Sequence, residues 1–281
     1  MADPFGGADA RRLLPDARAA RGHGASVARL CVCAFFVNCK PSEPFLSLYL
    51  ERDQGLTEQQ LDSDVWPYDA YGAFACMLPA GLLAEHAGYR ATILLGLACR
   101  EATRLLLLYA RGAGWMALSQ LMYAAAECSS VIYVSYVYVV SPAAAAPLAT
   151  AAVLTAYHAA NIVGSLLGQA LLGLGASYRA LFYVSWGSTT LGVLAFFAIP
   201  TPQRPPPPSV FRLARERGVA ALAAELRALY AVRGVRLWAL WWLLGYASLA
   251  LLRNYFQLGL LADAEAGSGE AGSGAAARGG Y

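Results

Sequence analysis

Ionised side chains set inside apolar runs are the residues of this chain that could do chemistry. Lys40 and Glu43 stand three apart in Phe-Phe-Val-Asn-Cys-Lys-Pro-Ser-Glu-Pro-Phe, residues 35–45, within a run long enough to cross a bilayer. A charge at membrane depth costs at least about 2.5–3.5 kcal/mol on insertion scales, so one held there needs a partner, water or a solute. Residues three apart are neighbours on a helix face. Pro41 and Pro44, however, withdraw the donors that the Val37 and Lys40 carbonyls would meet in a helix. Broken helix is tolerated at that depth only against protein or a water-filled cavity. Two readings stand: a helix end capped near the headgroups, or a polar site in a wet solute pathway.

Two further stretches repeat the pattern. Arg100, Glu101 and Arg104 interrupt a leucine-rich run. Arg100 and Arg104 share a face, being four apart, and Glu101 neighbours Arg104 at a spacing of three. They form either a structural ion pair with another span or a contact to an anionic part of a solute. Glu127 lies alone in an apolar run, with Ser130 near the same face and Tyr133, Tyr136 and Tyr138 following. A carboxylate beside aromatic rings can cradle a cationic ring. It can equally pair with Arg100, with the tyrosines as ordinary packing. Asp69, a turn inside the run that opens at Trp66-Pro-Tyr68, also needs a partner or water.

The elements that must position these groups are membrane spans. The chain has 281 residues, 58% hydrophobic and 14% charged, with mean hydropathy +0.46. A soluble domain carries about 25% charged residues, so the fold class is an all-α polytopic membrane protein. Seven runs qualify: 26–50, 65–84, 92–110, 115–140, 148–173, 178–200 and 236–262. Residues 1–25 read as a disordered cytoplasmic tail, 26–200 as a six-helix bundle and 201–235 as a cytoplasmic loop with an amphipathic helix. Residues 236–262 read as a seventh span and 263–281 as a low-complexity tail with Glu-Ala-Gly-Ser-Gly twice over. The acidic stretch 51–64 reads as a solvated outer loop. Gly164 and Gly168 let helices approach closely; His158 and Asn161 read as satisfied core polar groups, and 178–200 carries no evident site.

Basic residues set the orientation. Arg11, Arg12, Arg18, Arg21, Arg29, Arg90, Arg204, Arg212, Arg215, Arg217, Arg227, Arg233 and Arg236 fall on one side, against Arg52, Arg111 and Arg179 on the other. Positive residues stay inside, which places the N-terminus in the cytoplasm. The net charge of +3 therefore reflects topology and implies no nucleic-acid partner. Six cysteines fall in apolar runs without disulfide or metal spacing. No nucleophile–His–acid set or phosphate loop is present, so neither an enzyme nor a cofactor is expected; the direct partner is the lipid bilayer.

Six spans, a long cytoplasmic loop and a restart resemble the first half of a major facilitator carrier plus its seventh helix. The short loop Glu85-His-Ala-Gly-Tyr-Arg90 suits the inner gate of that superfamily. Within it the chain resembles solute carrier family 19, the reduced folate and thiamine carriers. The match is carried by Lys40-Pro-Ser-Glu-Pro-Phe-Leu-Ser-Leu-Tyr-Leu50, Gly55-Leu-Thr-Glu58 and Tyr133-Val-Ser-Tyr-Val-Tyr138. It continues in Gly164-Ser-Leu-Leu-Gly-Gln169, Trp241-Trp242 and Asn254-Tyr-Phe-Gln257. The resemblance implies a small-molecule vitamin substrate at the plasma membrane, moved by alternating access, with Glu43, Tyr133 and Asn254 around it. The Pro-Ser-Glu-Pro-Phe form is similar to the thiamine branch, and reduced folate is the alternative. Ser130 stands where thiamine carriers have glutamate and folate carriers arginine, with Glu127 a turn earlier. Asp69 replaces a tryptophan, and Arg100, Glu101 and Arg104 interrupt a stretch that is apolar in the family.

The resemblance also implies five further spans, hence the expectation of a truncated gene model or incomplete isoform. The competing expectation is a non-transporting half-carrier that associates with a full-length relative through the Gly164–Gly168 face. The topology has a direct test. An epitope fused to the N-terminus should be stained only after cells are permeabilised; staining of intact cells would reverse the orientation.

Overall fold

The computed structural model describes residues 17–142, 144–199, 216, 218–245 and 247–249. Among these every regular element is helical. The chain divides into two units, Met1–Phe211 and Arg212–Tyr281.

The first unit begins with α1, Ala17–Asn38. Helix thus starts nine residues before the expected tail boundary, because Ala17-Arg-Ala-Ala-Arg21 are strong helix formers. It stops where the two prolines dictate. Residues 39–42 are non-helical, a 3₁₀ turn covers Glu43–Phe45, and α2 resumes over Leu46–Arg52. The stretch expected as a solvated outer loop is instead ordered. It contains α3, Glu58–Asp64, started by a capping box in which Thr57 and Gln60 satisfy each other's backbone N–H groups. Its acids face water as expected, while Leu56, Leu61 and Val65 are buried. The acids mark only the wet face of an amphipathic helix.

Five long helices follow: α4 Pro67–His86, α5 Tyr89–Tyr109, α6 Ala113–Val140, α7 Ala146–Gly173 and α8 Tyr178–Phe197. All five coincide with expected spans. By length and apolar composition α6, α7 and α8 qualify as membrane-crossing helices; the charges at 90, 100, 101 and 104 set α5 apart. Helix α6 packs against α4 and α5, α1 packs between α7 and α8, and α5 against α8 joins the two sets.

Glycines make the close approaches. A Cβ on Gly164 of α7 would lie 2.8 Å from the Lys40 nitrogen, and one on Gly168 would meet the Pro41 carbonyl. On α8, a Cβ at Gly192 would lie 2.8 Å from the Val37 nitrogen. The Gly164–Gly168 face is therefore occupied by the broken part of the first span, and no longer supports docking onto another carrier. The expectation that it packs helices holds, with an irregular backbone as the partner.

Two apolar clusters lie toward opposite ends of the helices. One gathers Leu30, Val37, Ile93, Leu97, Ile132 and Phe196 with their neighbours. The other gathers Tyr49, Leu61, Leu107, Met116 and Phe182 with theirs. Between them along α1–α2 come Lys40 and Glu43, along α5 Arg100 and Arg104, and along α6 Glu127. The charged groups thus occupy a layer between two cores.

The second unit contains α9, Val219–Ala231, and helical residues 233–245. Helix α9 falls within the 211–232 stretch expected to form an amphipathic helix; of that expected apolar side Leu229 is exposed, and the side chains of Val219, Leu222 and Leu226 lie outside the described residues. Trp238 and Trp241 meet edge to face at 5.5 Å. Of the expected seventh span, residues 250–262 lie outside the described set, as do 1–16, 200–215 and the tail.

A Gly164→Val substitution should force α7 off residues 39–41 and lose roughly 1–3 kcal/mol, the range for overpacking. Gly114→Ala, which meets open space, should be neutral or stabilising. Thermal unfolding of the purified chain in detergent checks both; equal midpoints for the two variants would refute the close approach.

Candidate functional site

Glu43 is the hinge of the charged layer. Lying in the 3₁₀ turn just after the break, its carboxylate faces back toward Lys40 and across to α5. Lys40 Nζ donates to its Oε1 at 3.2 Å, and Arg104 Nη2 donates to its Oε2 at 3.1 Å. The spacing of three thus brings Lys40 and Glu43 together, although neither sits in an α-helix. Lys40 also reaches Tyr123 of α6, with Nζ 3.4 Å from the hydroxyl and 5.1 Å from the ring centroid. Tyr123 was missed from sequence. Its only signal is a position one turn before Glu127.

Arg100 serves the other carboxylate. Its Nη2 donates to Glu127 Oε1 at 2.9 Å and to Ser130 Oγ at 2.7 Å. Of the two readings given to Glu127 from sequence, the interhelical ion pair is the one the geometry realises. Ser130 belongs to the same contact, as its position one turn on suggested. Arg100 and Arg104 share a face as expected and use it to reach α6 and the 3₁₀ turn respectively.

Glu101 departs from expectation. It accepts from the Trp186 indole at 2.6 Å and from the Thr190 hydroxyl at 3.3 Å, both on α8. A one-residue step turns a helical side chain by about 100°, so Glu101 points away from the face of its arginine neighbours. Helix α8, without an evident site in sequence, carries the supports of the break. Ser185 Oγ accepts from the Ser42 backbone N–H at 3.0 Å, and Ser188 Oγ donates to the Phe36 carbonyl at 2.8 Å. The spacing of Ser185, Ser188, Thr189 and Gly192, all small, was the available signal.

The remaining candidates separate. The Tyr133 hydroxyl donates to the Leu30 carbonyl at 2.6 Å, and the ring packs on the first apolar cluster. Asp69 is half-buried on α4, and its carboxylate makes no hydrogen bond or ion pair among the described residues. Asn254 lies outside the described residues. His158, read from sequence as a satisfied core group, is exposed and meets the Tyr157 ring edge to face at 5.1 Å. Asn161 donates to the Tyr157 carbonyl. Among the described residues no group of His, Cys, Asp and Glu side chains could hold a metal ion.

Burial sorts the layer by sign. Lys40, Arg100 and Arg104 are 7%, 5% and 4% exposed, whereas the side chains of Glu43 and Glu127 are 37% and 32% exposed. Cations sit inside and carboxylates outside. The inner crevice among Val37, Lys40, Arg100, Arg104 and Tyr123 is too narrow for a water molecule. The more exposed side of the layer is the carboxylate side. Three cations oppose two carboxylates here, leaving an excess of one positive charge.

Removing one partner of a buried pair costs roughly 3–5 kcal/mol, because the other charge is stranded. Glu127→Leu should fall near the low end, since the Glu127 side chain is about a third exposed. The double variant Arg100→Leu/Glu127→Leu should recover most of that loss. Thermal unfolding measures it, and a double variant no more stable than the single would disprove the pairing.

The reduced folate carrier family matches residues 23–211 of this chain. Thiamine transporter 1 of Mus musculus is 32% identical over 200 residues, covering 70% of this chain and 40% of that protein. Thiamine transporter 1 of Homo sapiens is 30% identical, covering 63% and 36%. The reduced folate transporter of Homo sapiens is 27% identical, covering 83% and 44%. The chain thus spans about two fifths of the length of these relatives. The matched segment runs from α1 through α8 and includes every residue of the charged layer, and on that match the chain belongs to the reduced folate carrier family.

Proposed function

We propose that the charged layer is one wall of a pathway for a vitamin-class solute, with thiamine as the cargo, and that the chain works in the plasma membrane with its N-terminus in the cytoplasm. The observation that carries this reading is Glu43. It is an ionised group at membrane depth whose side chain is about a third open to solvent, held on a broken helix. An intramembrane carboxylate attracts a cation such as thiamine strongly, because the surrounding dielectric is low. The Pro-Ser-Glu-Pro-Phe sequence around it and the relatives named thiamine transporter support the same choice. Glu127 and Asp69 add negative charge, and Tyr123 adds an aromatic face. Movement follows the general scheme of such carriers, in which bundles rock around a midplane site.

One observation favours a second reading. The excess of one positive charge among Lys40, Arg100, Arg104, Glu43 and Glu127 suits an anionic solute of the folate class, and a relative named reduced folate transporter matches the chain.

Labelled thiamine and labelled folate, offered separately to the purified chain in lipid nanodiscs, distinguish the two. Thiamine should bind, and Glu43→Gln should weaken it at least tenfold. Thiamine binding unaffected by Glu43→Gln would overturn the site, and saturable binding of folate alone would establish the second reading.

A further inference from the structure

Both oxygens of Glu43 are already taken. Lys40, from the same segment, holds Oε1, and Arg104, from α5, holds Oε2. The two cations do not stand alike. Lys40 is also tied to Tyr123 by hydrogen bond and ring contact, whereas Glu43 is the one acceptor recorded for the Arg104 guanidinium among the described residues. Arg104 is 4% exposed and approaches from the protein side, while the carboxylate keeps an open flank. A mere staple would leave the carboxylate as buried as the arginine.

We propose that Arg104 is a tethered counter-ion that governs access of cations to Glu43. A cationic solute reaches this carboxylate only in competition with the guanidinium, so Arg104 sets the charge selectivity of the site. Arg104 is one of three cations in the layer, and its loss changes the balance from an excess of one positive charge to neutrality. That change favours cations and disfavours anions at the same place. Lysine at 104 would keep the charge but lose the planar fork and some reach, giving partial release. The inference rests on Glu43 as the solute-facing residue of the proposed pathway, and its masking half can be read without any vitamin.

The test uses the full chain in nanodiscs with Arg104→Gln and Arg104→Lys. Glu43 is labelled with a cationic water-soluble carbodiimide and quantified by peptide mass spectrometry, with Glu127 as internal reference. Relative labelling of Glu43 should rise at least about fivefold in Arg104→Gln and about twofold in Arg104→Lys. Labelling unchanged from the parent in either variant overturns the masking; if the glutamine variant does not fold, the lysine variant decides alone. Thiamine and folate affinities are then compared in the same samples. The preference for thiamine over folate should increase about tenfold in Arg104→Gln, whereas equal weakening of both ligands would mean a purely structural arginine and overturn the selectivity. Increased labelling with no binding of either vitamin by any form would sustain the masking and reject the vitamin pathway instead.

Discussion

The ion pair between Glu43 and Arg104 depends on a helix that is not allowed to continue. Were residues 39–42 helical, the carboxylate at 43 would be carried round the helix and away from α5. Pro41 and Pro44 prevent that by removing backbone donors and clashing with the preceding turn. An interrupted backbone inside a bilayer must then be paired and covered. Ser185 and Ser188 on α8 supply pairing to Ser42 and Phe36, and the bare faces of Gly164, Gly168 and Gly192 supply cover. The site is therefore built as much by small residues on α7 and α8 as by the charges themselves.

The layered arrangement explains how five ionised groups are tolerated. Apolar clusters above and below tie the helices together, so the charged layer does not have to hold the unit together. Desolvating an ion pair can outweigh its Coulombic gain. Here the carboxylate side chains stay about a third exposed, which limits their desolvation, and the buried cations donate outward to them. Burial by sign also gives the layer a direction, with the cations on its inner side and the carboxylates on its more exposed side.

Helix ends near the two clusters are closed by the same economy of side chains. Arg90 donates to the Ile199 carbonyl at 2.6 Å just beyond α8 and stacks over Phe196 at 5.2 Å. At the other end, the last carbonyls of α5 are met by Tyr49 and Gln54 at Leu107 and by Arg179 at Leu108. Terminal carbonyls without intrahelical partners are thus satisfied. This explains the ordering of α2 and the stretch after it, which composition alone had suggested was loop.

By itself the sequence determined the membrane class, the positions of the long helices, the break at Pro41 and the nearness of Lys40 to Glu43. Each of these follows from local chemistry: apolar length, missing donors, or a spacing short enough that no other helix need intervene. The resemblance carried by the ordered motifs also survives in the family match. Only the tertiary structure decided which carboxylate each arginine serves. Periodicity places Arg100 and Arg104 on one face but cannot say which helices that face meets, and it grouped Glu101 with them when α8 claims it. The role of Gly164 turned likewise on what lies opposite, because a small residue reports room for a neighbour without naming the neighbour.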